Sequence, residues 1–339
     1  MMSRSGYSWF WWLCFFIFFL APHVSIAQNA TTDPYEVKAL NSIFKQWDTQ
    51  AVENLWNISG EPCSGSAINE TRWDDPANNP SIKCDCSFQN ATICHITQLR
   101  VHALNKTGVI PEDITAFKYL TFLTLDINYF TGPLPAFIGD LSGLQELSIS
   151  HNAFSGTIPK EIGNLKDLKF LSFGTNNFSG TFPPELGNLI KLEQLYLDSS
   201  GVGGEIPSTF ANLRNMQIMW VSDNPFTGKI PDFIGNWTNL TSLKLQGNSF
   251  DGPIPSSFSQ LISLNSLRIS DINNVSSSLN FIKDMKKLTD LVLRNALING
   301  GIPSDIGEYL SLQTLDLSFN NLTGQLPDAL FNMASLKNL

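Results

Sequence analysis

The side chains able to carry out chemistry are few, and their spacing argues against catalysis. The histidines are His23, His95, His102 and His151. Group transfer needs a nucleophile beside a base, and none of His95, His102 and His151 has a Ser or Cys nucleophile arrangement that a repeat, described below, does not already explain. Asp74-Asp75 lies in a polar loop without a second pair to share acid–base work. Gly201-Val202-Gly203-Gly204 resembles a phosphate loop, but no Lys-Ser/Thr follows and Gly204 belongs to the repeat. Apart from Cys14, the cysteines are Cys63, Cys84, Cys86 and Cys94. Cys-Asp-Cys spacing fits no common zinc site, so no metal or cofactor is expected and the four read as two disulfides. Of the three possible pairings, Cys63–Cys84 with Cys86–Cys94 avoids crossed loops and is favoured.

Those disulfides require an oxidising compartment. Arg4 precedes an apolar run over residues 9–21, too short for a bilayer that needs roughly 20 residues. Ser25-Ile26-Ala27 then offers a small-residue cleavage pattern, so residues 1–27 read as a secretory signal and the mature chain begins near Gln28. A retained signal anchor is the alternative. Acceptors for N-linked sugar occur at Asn29, Asn57, Asn69, Asn90, Asn105, Asn177, Asn236, Asn239, Asn274 and Asn321, which predicts a glycoprotein. Asn177 and Asn321 also fit the repeat and are weaker indications. The net charge of −9 repels phosphate backbones and argues against nucleic acid as a partner.

The elements that position everything else follow from periodicity. Ile96, Leu120, Leu144 and so on to Leu336 recur every 24 residues without insertion. Apolar residues return three and five positions later, as in Leu123 and Leu125, so both face one side of a short strand. Gly stands twelve past the start and Pro fifteen past it in nine of ten units. The Gly suits a bend, and the Pro a return segment that needs no ladder donor. Asn128, Asn152, Asn176, Asn224, Asn248 and Asn320 stand eight past each start, where an amide can satisfy buried backbone.

One coil alone cannot fold. About seven inward apolar residues contribute roughly 1.5–3 kcal/mol each, whereas ordering the backbone costs about 1–2 kcal/mol per residue. Stacking must therefore supply the difference, giving a solenoid with one parallel sheet. Residues 28–95 are expected to form a cap, opened by a capping box at Asp33-Pro34-Tyr35-Glu36 and a helix carrying Val37, Leu40, Phe44 and Trp47. Residues 96–339 are expected to hold ten coils and a truncated eleventh, which reads as a fragment of a longer chain.

The pattern Leu-x-x-Leu-x-Leu-x-x-Asn-x-Phe-x-Gly-x-Ile-Pro, fullest at 144–159 and 240–255, is similar to the plant extracellular leucine-rich repeat. The details resemble the receptor-like kinases that carry a malectin-like domain. They are Cys84-Asp85-Cys86, Cys94-His95-Ile96-Thr97-Gln98-Leu99-Arg100, and Ser270-Asp271-Ile272-Asn273-Asn274 with Phe281-Ile282-Lys283-Asp284-Met285. The resemblance implies a right-handed α/β solenoid with its parallel sheet on the concave face and a disulfide-pinned N-terminal cap. It also implies a malectin-like domain, one membrane span and a cytoplasmic Ser/Thr kinase elsewhere, placing this stretch on the outer face of the plasma membrane as a non-catalytic binder. Its implied partners are a peptide, cell-wall sugar or small ligand, and a co-receptor chain.

Residues between the strand leucines face the concave side, where solenoids bind. Phe122, Phe170, Tyr196, Ile218 and Trp220 form an apolar patch there, bordered by Asp198 and Asp223. A patch of this kind suggests a partner surface, although such rings can also simply cover a sheet or meet a glycan. In the unit from Leu264, Ile272, Ser276 and Leu279 replace Asn, Gly and Pro, followed by Lys283, Lys286 and Lys287. That unit is either a tolerated irregular coil with a solvated basic edge or a docking site. Three functions compete: a receptor ectodomain, a secreted inhibitor of a cell-wall-degrading enzyme, and an adhesion scaffold.

Overall fold

The computed structural model describes residues 30–339; the stretch 1–27 that reads as a secretory signal, with Arg4, Cys14 and His23, and the acceptor Asn29 lie outside the described residues. The chain opens on the expected helix, Pro34–Gln46, whose first turn is held by the Asp33 carboxylate accepting from Tyr35 N–H at 2.8 Å and Glu36 N–H at 3.3 Å. Leu40, Ile43, Phe44 and then Trp47 bury its inner face, while Val37 is half-buried. Glu36 does not complete a capping box. Its carboxylate turns into the core and accepts from Ile96 N–H at 2.6 Å and meets His95 Nδ1 at 2.8 Å, joining the helix to the first repeat. The Asp33 N–H that a capping box would use donates instead to Cys94 O.

Disulfides join Cys63 to Cys84 and Cys86 to Cys94, the favoured pairing. They bracket the strand Ser81–Ser87, which runs antiparallel to Ile93–Arg100. The division expected at 95/96 falls within that second strand, so the cap and the solenoid share one sheet.

From Ile93–Arg100 the sheet advances one coil at a time, always parallel, through short strands such as Phe122–Thr124, Phe170–Ser172 and Ile218–Trp220 to Thr314–Asp316. Equivalent residues pair directly: Leu123 with Leu147, Leu147 with Leu171, Leu195 with Met219. A constant coil length forces this register, because a slip of one residue would turn every leucine outward. Leu120, Leu123 and Leu125 and their counterparts as far as Leu315 are buried in one continuous core, which opens at the last coil, where Leu317 and Leu336 are half-buried and Leu339 is exposed.

The turn asparagines behave as expected. Asn128 Nδ2 donates to the carbonyls of Val101, Leu125 and Asp126, and its Oδ1 accepts from Leu104 and Lys106 N–H. Most repeat glycines adopt left-handed φ, as at Gly156 with φ 76°. Gly252 is different: a Cβ there would lie 1.9 Å from Val275 O, so close approach of the next coil excludes a side chain.

Two features were not legible. Beyond the main sheet, short parallel ladders run along the far side, through Tyr129–Pro133, Ala153–Gly156 and Asn177–Phe178 and again at Thr227–Lys229 with Ser249–Asp251. Strands this brief show no alternation in sequence. They carry stacked phenylalanines, Phe130 on Phe154 at 6.2 Å and Phe226 on Phe250 at 6.2 Å, which account for part of the chain's high Phe content. After each repeat proline from Pro111 to Pro303 comes a five-residue 3-10 helix such as Lys160–Asn164, while Pro327 precedes a single α-helical turn, Asp328–Phe331.

The irregular coil keeps the same core by other means. Ile272 is buried where other coils place Asn, and Ser277 Oγ accepts from Ile254 N–H at 2.8 Å. Lys286 pairs with Asp305 and Glu308, both at 3.1 Å, and lies over the Tyr309 ring; Lys283 and Lys287 remain exposed. Among the described residues no helix is long and apolar enough to cross a membrane.

Candidate ligand-binding face

The sheet strands hold the candidate patch because alternate residues of each face away from the leucine core. Register sets Phe170, Gln194 and Ile218 side by side in one column, and Ser172, Tyr196, Trp220 and Lys244 in the other. The rings form a chain: Phe170 to Tyr196 at 5.3 Å, then Tyr196 to Trp220 at 4.9 Å, nearly perpendicular at 87°. Lys244 Nζ sits 3.2 Å from the Trp220 ring centroid. Polar atoms of the rings are satisfied locally, since Trp220 Nε1 donates to Ser242 Oγ at 2.8 Å and Tyr196 OH to Gln194 Oε1 at 2.9 Å. All five patch residues are half-buried, so their rings sit pre-arranged in the face.

Phe122 does not join the other four. Glu146 stands between Phe122 and Phe170 in the same column, and Phe122 packs on Trp73 of the cap at 5.6 Å. Asp198 adjoins the patch, but its carboxylate accepts from Ser222 N–H at 2.8 Å and so closes the strand end of the next coil. Asp223 is exposed in a turn with φ 56°.

Beyond Trp220 the face becomes polar. Arg268 forms a two-pronged pair with Asp290, at 2.6 and 2.9 Å, and Ser266 Oγ donates to the same carboxylate. Lys244 makes no hydrogen bond or ion pair among the described residues, and burial pushes its pKa down. These groups line a shallow recess of about 390 Å³ beside the aromatic chain. Lys244, Arg268 and Trp73 are the site residues that sequence reasoning left outside the patch. Column position marks the first two as facing residues, but no local signal shows which charge finds a partner.

The histidines serve the cap and turns. His95 lies between Phe88 and Tyr119 and faces Glu36, while His151 is exposed in a turn. Among the described residues no cluster of three His, Cys, Asp or Glu could hold a metal ion.

Burial is the leading cause that raises the carboxyl groups of Glu36, Asp126, Glu146 and Asp198 above their ordinary range. The folded state then binds more protons than the unfolded chain, so stability falls as pH rises from the ordinary carboxylate range through these raised values. His102, lowered chiefly by burial, acts oppositely below its usual pKa, and the carboxyl groups of Asp271 and Asp316, lowered by their hydrogen bonds, act oppositely at and below the ordinary carboxylate range, outside the pH interval tested. The expected result is a Tm higher at pH 5 than at pH 7.5. Scanning calorimetry across that range checks it, and a Tm that rises with pH would contradict the assignment.

Comparison with known proteins places this geometry. The Leucine Rich Repeat family pattern matches residues 143–165, 167–189, 215–237, 239–261 and 311–333. A probable LRR receptor-like serine/threonine-protein kinase of Arabidopsis thaliana is 51% identical over 117 residues, covering 33% of this chain and 11% of that protein. The match therefore spans about a tenth of the relative's length. The crystal structure of a TDR receptor superposes with a TM-score of 0.65 at 36% identity, over 68% of this chain and 40% of that one. The plant peptide hormone receptor RGFR1 in complex with RGF2 gives 0.56 at 28%, over 71% and 46%. A plant ice-binding protein gives 0.72 at 25%, over 92% and 95%. The chain carries leucine-rich repeats at the matched residues, is similar over a third of its length to plant LRR receptor-like serine/threonine kinases, and shares its solenoid fold with a plant receptor ectodomain.

Proposed function

We propose that this chain is the extracellular ligand-recognition region of a plant receptor-like kinase, and that it binds its ligand on the sheet face at Phe170, Tyr196, Ile218 and Trp220. The observation that carries the reading is the contiguous aromatic chain on a face that is otherwise polar, ending at a cation without a partner. Half-buried aromatics of this kind are where binding energy concentrates. The membrane span, the malectin-like domain and the kinase belong to the rest of the protein, and signalling output is assigned to them.

A peptide is the ligand class that fits best. One face of Trp220 is covered by Lys244, and Tyr196 meets Trp220 almost perpendicularly, so neither ring offers the open flat platform on which a sugar stacks. Apolar peptide side chains can instead lodge between the tilted rings, with an acidic group near Lys244. The RGFR1 complex, similar in fold, holds a peptide hormone and supports the same class here. A co-receptor chain is proposed as a further partner, as the resemblance to receptor-like kinases implies.

The test uses residues 28–339 secreted from plant or insect cells and peptides eluted from that protein after incubation with extracellular wash fluid. Tyr196→Ala and Trp220→Ala are each expected to weaken binding of the recovered peptide about 30-fold, the loss typical of a hot-spot ring. Thermal unfolding should move little, because both rings are half-exposed. Unchanged affinity in both variants would remove this patch from the ligand site.

A further inference from the structure

The irregular coil from Leu264 is not absorbed by ligand recognition, and its departures from the repeat share one consequence. In most other coils the residue ten past the start is apolar and buried, as at Phe154, Phe226, Phe250 and Ile298, the first coil with Lys106 and the last with half-buried Leu322 excepted. Here the buried residue is Ile272, two positions earlier, and the tenth position holds Asn274, fully turned out to solvent. Asn274 begins an Asn-Val-Ser acceptor sequence. Its backbone is left-handed at φ 65°, a conformation Asn tolerates, and Val275 O of the same turn presses onto Gly252. Its Nδ2 reaches Asp251 Oδ1 at 2.6 Å, directing the side chain over the preceding coil.

Three and four residues along the chain from Asn274, Ser277 and Ser278 line a cleft of about 560 Å³ that runs across three coils and whose wall on the preceding coil begins at Pro253, two residues past Asp251. Pro253, Pro255 and Phe281 supply apolar surface, and Ser256, Ser278 and Asn280 supply polar atoms around it. A pyranose has an apolar C–H face edged by hydroxyl and amide groups, which is the complement of this lining, and the volume lies within the range of small-ligand sites.

We infer that Asn274 carries an N-linked glycan whose first sugars lie in this cleft, so that the irregular coil is a seat for the chain's own carbohydrate. The inference rests on the proposed extracellular location. In regular coils the buried tenth residue leaves no acceptor at this position. Asn177 and Asn321 stand one residue earlier in their coils and are exposed there. A seated glycan covers Pro253 and the backbone between 252 and 281, where the far-side ladder narrows to a single bridge, Asp251 with Asn273.

The experiment secretes residues 28–339 through a heterologous signal from plant or insect cells and maps glycans by peptide mass spectrometry. Amide hydrogen exchange then compares the parent with Asn274→Gln, Ser276→Ala and Asn321→Gln. Expected are an occupied Asn274 and about tenfold faster exchange over 252–281 in the first two variants, with no change there in the third. Two variants are needed because Ser276 Oγ also accepts from Asn299 at 2.9 Å, whereas Asn274→Gln leaves that bond intact. Occupied Asn105 and Asn177 with an empty Asn274 would overturn the seat while leaving the extracellular reading standing. Occupied Asn274 with unchanged exchange in Asn274→Gln would overturn it as well. Loss of sugar at every acceptor would count against both.

Discussion

Asn224→Ala is expected to destabilise the solenoid by about 3–5 kcal/mol. Asn224 is 6% exposed, and its Nδ2 donates to Leu197, Val221 and Ser222 carbonyls at 2.7, 3.1 and 2.8 Å. Its Oδ1 accepts from Ser200 N–H, Ser200 Oγ and Gly201 N–H at 2.8, 3.0 and 2.9 Å. Truncation leaves several backbone groups in a dry turn with no partner, each costing about 1–3 kcal/mol when unsatisfied. Relaxation and entering water recover part of that cost, which is why the losses do not simply add. Because each coil contacts only its neighbours, opening is expected to centre on residues 192–240. Urea titration measures the total and hydrogen exchange its location. Asn177→Ala, at an exposed position of the same repeat, should change stability by less than about 0.5 kcal/mol. A loss under 1 kcal/mol for Asn224→Ala would show that the turn amides do not hold the coils together.

The second large effect is at the cap. Glu36→Ala is expected to cost about 2–4 kcal/mol and to loosen the helix Pro34–Gln46 from the first coil. Its carboxylate is 2% exposed and is the acceptor for the buried Ile96 N–H, which no other group replaces. Removing the side chain also opens a gap between helix and strand. Glu36→Gln behaves differently. The amide oxygen can still accept from Ile96 N–H, and a neutral group escapes the desolvation that raises the Glu36 pKa. That variant should lie within about 1 kcal/mol of the parent at pH 7. It should also flatten part of the pH dependence described above. Thermal melts of the three proteins at pH 5 and pH 7.5 decide the matter; equal losses in Ala and Gln variants would place the stabilisation in the charge and not in the hydrogen bond.

Much of this architecture was legible from spacing alone. Leu120, Leu144 and Leu168 announce their register because a fixed number of residues per coil leaves one way to keep every leucine dry. Asn128 and Asn224 announce their bonding because a buried amide in a turn has few other uses. Asp33 before Pro34 announces a helix start. The candidate face was only half legible. Alternation shows that Tyr196 and Trp220 look outward, but nothing local tells that Lys244 covers Trp220, that Phe122 leans on Trp73, or that Asp198 is occupied by Ser222 N–H.

The amino-acid order by itself determined the solenoid, its register and its turns, since these depend on periodic burial and on backbone groups that every coil repeats. Tertiary structure alone decided the polar partners: Glu36 with Ile96, Arg268 with Asp290, Lys286 with Asp305 and Glu308. Several rotamers of a long side chain reach different neighbours at similar cost, and only the packed surroundings, by excluding water from some and clashing with others, select one.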